Sequence, residues 1–125
     1  MLNKLSIKAF NHVALQVIDV NRSADFYTQV LGLQEIPIPA FDYPVRWFSL
    51  GQNRELHLIG RQEQGSISTG IRGNHFALEV ADMLQAEKHL QEYGIKYMPV
   101  KLRPDGIKQL FLTDPDGHYI ELCEM

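Results

Sequence analysis

The sequence predicts an α+β fold of two tandem βαβββ modules forming a curved mixed sheet, and three observations carry that prediction. Residues 11–20, NHVALQVIDV, return at 74–83 as NHFALEVADM, with Asn, His, Ala, Leu, Val and Asp identical at a fixed offset of 63. Each copy is followed by a stretch whose apolar residues recur at helical spacing and which ends on a glycine. Each such stretch is followed in turn by three short apolar runs bounded by turn formers.

Taken in order, module one covers 8–61 and module two covers 74–124, within a single domain of 8–124. After the first repeat segment, NRSADFYTQVLGL sets Ala24, Tyr27 and Leu31 on one stripe, and Gly32 is a natural helix stop. Extended segments are expected at 34–39, 45–50 and 54–60, the first made irregular or edge-like by Pro37 and Pro39. Gly51-Gln52-Asn53 supplies a turn between the other two. The polar, glycine-rich stretch 62–73, QEQGSISTGIRG, reads as the linker between modules. After the second repeat segment, LQAEKHLQEYGI places Ala86, Leu90 and Tyr93 on one stripe and stops at Gly94. Extended segments follow at 96–101, 108–113 and 118–124, with Asp114-Pro115-Asp116-Gly117 as a strong turn between the last two.

Composition narrows the function classes. At 125 residues, with 45% hydrophobic and 22% charged residues, the chain can bury a real core without a staple. No apolar run approaches the length that spans a bilayer. A net charge of -3 with no basic stripe gives no attraction for phosphate backbones, so neither nucleic acid nor membrane is an expected partner. The start, MLNKLSIKAFNH, lacks the apolar core of a signal peptide, and Cys123 is the single cysteine; both fit a cytoplasmic, reducing location. A small-molecule substrate is the expected partner.

Strand alternation then sorts the side chains. Val13, Leu15 and Val17 share one face of the first strand, and His12, Ala14 and Gln16 the other. The repeat places Phe76, Leu78 and Val80 opposite His75, Ala77 and Glu79. In the last strand of each module, His57 shares its face with Glu55, and Glu121 lies between Ile120 and Leu122. Each module thus has an apolar face and a second face carrying two ligand-type residues. A buried carboxylate such as Glu121 needs a cation. With imidazoles His12, His57 and His75, it suits one divalent ion of Zn, Ni, Fe, Mn or Co; a lone cysteine excludes a thiolate site. Sheets packed edge to edge would point all four inward. His118 is expected as a solvated turn residue and His89 as exposed.

The run of motifs NHVALQV, ADFYTQVLGL, ELHLI, NHFALEV and FLTDPDGHYIEL resembles the vicinal-oxygen-chelate superfamily over roughly 8 to 124. That group holds glyoxalase I, fosfomycin thiol transferases, methylmalonyl-CoA epimerase, extradiol dioxygenases and bleomycin-binding proteins. The resemblance implies the paired-module glyoxalase-like fold, a homodimer, and metal ligation at His12, His57, His75 and Glu121. His57 stands where glyoxalase I has Glu and the epimerase Gln. Gln16 and Arg61 stand where glyoxalase I carries the Arg and Asn that grip glutathione.

The expected activity is that of a glyoxalase-type lyase or isomerase working through a metal-stabilised enediolate, with Glu121 as the catalytic base. Alternatives are an extradiol-type dioxygenase, and a non-catalytic module that binds a small molecule or metal. Tyr43, Trp47 and Phe111 are candidate pocket walls, and Arg46, Arg61 and Arg103 candidate holders of a substrate anion.

Overall fold

The computed structural model describes residues 5–61 and 67–125, so residues 62–66 of the expected linker lie outside the described residues. Module one runs β1 (His12–Val17), α1 (Val20–Asp25), β2 (Gln34–Ile36), β3 (Val45–Gly51) and β4 (Arg54–Gly60). Module two repeats the order as β5 (His75–Glu79), α2 (Met83–Glu92), β6 (Lys101–Leu102), β7 (Lys108–Thr113) and β8 (Tyr119–Glu124). The βαβββ order expected from the repeat is the order found.

Each module forms one four-stranded mixed sheet, β1-β4-β3-β2 and β5-β8-β7-β6, in which the first and last strands lie parallel and the rest antiparallel. No strand pair joins the two sheets among the described residues. β1 and β5 are therefore each paired along one edge only.

The repeated aspartate begins each helix. Asp19 accepts from the backbone N–H of Asn21 and Arg22, and Asp82 from those of Leu84 and Gln85, satisfying donors that a first helical turn leaves free. At the far ends, Gly32 (φ 69°) and Gly94 (φ 67°) take the left-handed conformation that stops the helix, as the sequence predicts. α1 is followed without a break by a π-helical turn over Phe26–Val30, closed by Leu31 N–H to the Phe26 carbonyl.

The second and sixth strands are shorter than expected. Pro37 and Pro39 remove ladder donors after Ile36, and β2 stops at three residues. In module two Tyr97 makes an isolated bridge to Leu112 of β7, and the continuous ladder with β7 is limited to Lys101 and Leu102. Tyr93 is also off the expected stripe: it is exposed at the end of α2, while Leu90 is buried.

The apolar faces of both modules meet in one core. Val17, Tyr27, Phe48, Leu56 and Leu58 pack in the same cluster as Leu90, Leu110, Leu112, Ile120 and Leu122. The Asp114–Gly117 turn fastens the modules together. Asp114 Oδ2 accepts from the Tyr27 hydroxyl at 2.8 Å, and its Oδ1 accepts from the N–H groups of Asp116 and His118. Asp116 takes the Arg22 guanidinium, and its Oδ2 accepts from the Ile18 N–H at 3.2 Å.

His118 is not the solvated turn residue that sequence suggests. It is buried, with Nε2 2.7 Å from the Gln16 carbonyl oxygen, so it bonds one module to the other. His89 is likewise half-buried, with Nε2 2.7 Å from the Val30 carbonyl oxygen. Both expectations failed for one reason: the partner carbonyls lie 102 and 59 residues away in the chain, beyond any local pattern.

Candidate functional site

The ligand-type residues occupy the sheet faces turned away from the shared core. On β1, His12, Ala14 and Gln16 are exposed while Val13 and Leu15 pack against the core. On β5 the same holds for His75, Ala77 and Glu79 against Phe76 and Leu78. Parallel pairing sets Ala14 beside His57 and Ala77 beside Glu121, so the small repeated alanine leaves room next to each larger polar side chain.

Within one chain the four residues form two pairs. In module one the His12 and His57 rings stack at 4.1 Å and 17°, and Trp47 covers the other face of His57 at 3.8 Å and 4°. His57 Nε2 lies 2.9 Å from Glu55 Oε1, and His12 Nδ1 lies 2.8 Å from Asn11 Oδ1. In module two His75 Nε2 lies 2.9 Å from Glu121 Oε1, while His75 Nδ1 lies 2.6 Å from the Arg72 carbonyl oxygen. Phe111 meets the His75 ring edge to face at 4.8 Å. Among the described residues no three His, Cys, Asp or Glu side chains converge on one point.

Glu121 is the unusual group. It is only 7% exposed, and its Oε2 is buried with no hydrogen-bond donor among the described residues. A buried carboxylate oxygen left without a partner carries a cost that a cation removes. The donor chemistry fits: imidazole nitrogen and carboxylate oxygen are the ligands of borderline divalent metals. His12 and His57 would contribute nitrogens from the other module, His75 and Glu121 a nitrogen and an oxygen.

Beside His75 lies a cavity of about 540 Å³ lined by Arg72, Met98, Lys101, Gln109 and Phe111 among others. Its lining holds two cationic side chains and no carboxylate. The Arg72 guanidinium rests 5.8 Å above the Phe111 ring, with Nη1 3.6 Å from Met98 Sδ. Sequence reasoning missed Arg72, because it lies in no repeated motif. Two of the arginines it named instead are bound to carboxylates. Arg46 grips Glu35 through two bonds of 2.7 and 2.6 Å, which holds the Glu35 carboxyl below its usual range. Arg103 grips Asp105, and that guanidinium pulls the Asp105 carboxyl down to about 2. Of the expected pocket walls, Phe111 lines the cavity, Trp47 stacks on His57, and Tyr43 packs at 5.3 Å against Phe41, which in turn meets Trp47.

Paired βαβββ modules with ligand-type residues on the first and last strand of each define a class, and sequence comparison agrees with it. Residues 9–122 match the Glyoxalase/Bleomycin resistance protein/Dioxygenase superfamily, and the chain belongs to that family. It is 34% identical to the Arabidopsis thaliana protein named Glyoxylase I 4, across 97% of this chain and 73% of the relative. It is 31% identical to the lactoylglutathione lyase of Escherichia coli O157:H7, across 90% of each. Among solved structures, a glyoxalase family protein from Enterococcus faecalis superposes with a TM-score of 0.75 at 25% identity, covering 94% of this chain and 98% of that one. The lactoylglutathione lyase from Agrobacterium tumefaciens superposes with a TM-score of 0.75 at 20% identity, covering 94% of both, which speaks to the fold alone.

Proposed function

We propose that the protein is a divalent-metal-dependent lyase or isomerase of the glyoxalase type, with its site completed between two copies of the chain. The observation that carries this reading is the buried, unpartnered Oε2 of Glu121 beside His75 Nε2. His12 and His57 of one copy and His75 and Glu121 of the other would hold the ion. β1 and β5, each an edge strand of its sheet, offer the route by which two copies complete a sheet. Lactoylglutathione lyases among the relatives support the reaction class.

A bound divalent ion supplies Lewis acidity toward neighbouring substrate oxygens and so stabilises an enediolate. The chain's own residues do the rest. Glu121 takes the proton from the hydroxyl-bearing carbon next to the carbonyl, and the C–H electron pair becomes the new C=C bond as the carbonyl π pair moves onto its oxygen. The same carboxyl then returns the proton to the former carbonyl carbon, while the hydroxyl proton passes to the other oxygen and leaves a carbonyl on the first carbon. Arg72 and Lys101 hold an anionic end of the substrate in the cavity beside His75, and Phe111 and Trp47 wall the site from water.

The test is elemental analysis of protein purified without chelator, followed by assay of hemithioacetals with Zn, Ni, Mn, Co and Fe(II). About one ion per chain and isomerisation of a hemithioacetal are expected, with Glu121→Gln lowering kcat by at least about 10²-fold. A chain that takes up no divalent ion, even on dialysis against each, overturns the reading.

A further inference from the structure

A neutral imidazole has one lone pair, and the group facing one ring nitrogen decides which nitrogen keeps it. His75 faces an acceptor oxygen at each nitrogen, the Arg72 carbonyl at Nδ1 and Glu121 Oε1 at Nε2, so its neighbours alone do not choose its tautomer. His12 donates from Nδ1 to Asn11 Oδ1. His57 is the reverse. Its Nε2 faces the carboxylate oxygen of Glu55 at 2.9 Å, while Nδ1 has no protein partner among the described residues.

Glu55 is set in place by the sheet. It sits two residues before His57 on β4, hence on the same face, and its Cα is the register partner of His12 on β1. The His57 ring is pressed between Trp47 at 3.8 Å and His12 at 4.1 Å, so it cannot turn over without parting the stack. Turning over would also trade the Glu55 contact for a carbon.

We propose that Glu55 is a positioning residue for the metal centre: it keeps the proton on His57 Nε2 and commits Nδ1 as the donor atom. This rests on the metal-centre reading above. Module one would then present His57 through Nδ1 and His12 through Nε2. Lone pairs lie in the ring planes, so an ion shared by the stacked pair sits beyond the ring edges, not between the rings. A carboxylate that orients a ligating histidine typically changes metal affinity about 10- to 100-fold.

Two measurements decide it. Long-range ¹H–¹⁵N NMR of the histidines in metal-free protein reads the tautomer directly; the protonated nitrogen of His57 is expected to be Nε2 in wild type and in Glu55→Gln, whose amide oxygen still accepts. Competition titration with zinc is expected to show Glu55→Ala about 10- to 100-fold weaker than wild type and Glu55→Gln close to it. Protonation of His57 at Nδ1, or equal zinc affinity in Glu55→Ala and wild type, overturns the proposal. So does a loss in Glu55→Gln as large as in Glu55→Ala, which would make Glu55 a ligand itself. Wild-type protein that takes up neither zinc nor any of the other divalent ions sinks the metal-centre reading and the donor role of Nδ1 with it; the NMR spectrum then still judges the Glu55–His57 contact separately.

Discussion

Tyr27 shows how much one side chain does in this fold. It is fully buried, its ring lies in the common core, and its hydroxyl donates to Asp114 87 residues away. Burial, and then the neighbouring Asp114 charge, push its phenol well above the ordinary tyrosine value. Phenylalanine keeps the packing and removes the hydrogen bond to a carboxylate, so Tyr27→Phe should cost about 1.5–3 kcal/mol, read as a lower urea midpoint at pH 7. The sign of the pH effect follows from the raised folded-state value. The stabilisation is complete below the unfolded tyrosine value of about 10 and is lost as pH rises through the folded one. Urea midpoints taken between about pH 8 and pH 11 should therefore fall more steeply for wild type than for Tyr27→Phe. Equal slopes would show that Tyr27 ionises without consequence for folding. Residue roles of this kind were the least legible from sequence. Nothing local to Tyr27, His89 or His118 marks its partner, whereas the shared outward face of His12 and His75 was legible from their recurrence at equivalent positions.

Elements were far easier to read, because their signals are local. Alternation gave β1 and β5 their two faces, and glycines marked both helix stops. The repeated aspartates proved to be caps, a role visible in principle from a polar residue standing before each helical stripe. Strand lengths were overestimated where prolines interrupt the ladder at 37 and 39 and where 96–101 pairs only at its end. The β3–β4 turn is a second case of local conflict. Gln52 and Asn53 have φ values of 52° and 62°, the pattern of a turn that favours Asn-Gly, and glutamine has no special tolerance for it. Replacing Gln52-Asn53 by Asn-Gly should raise stability by about 0.5–1 kcal/mol in chemical denaturation. No gain, or a loss, would mean that the present side chains contribute more than the backbone strain costs.

At the scale of the molecule, sequence periodicity could assign faces but not say which faces meet. The two apolar faces found each other inside the chain, which turns the His12–His57 and His75–Glu121 pairs away from the common core as two separate pairs. If two copies complete each other's sites, then mixing inactive His12→Ala and Glu121→Gln proteins restores activity. Random exchange makes about half the dimers mixed, and each mixed dimer has one intact site of two, so about a quarter of wild-type activity is expected. Activity that stays absent after verified subunit exchange would place all four residues of each site on one chain.

The alternation along β1 has a bearing on which insertions and deletions the chain can survive. Val13 and Leu15 pack against the core while His12 and Ala14 face out. A strand's side chains change face with every residue, so a register slip of a single position would turn the histidine inward and the valine outward together. Core and outer face are thus read in the same frame: a length change inside β1 or β5 cannot damage one and spare the other.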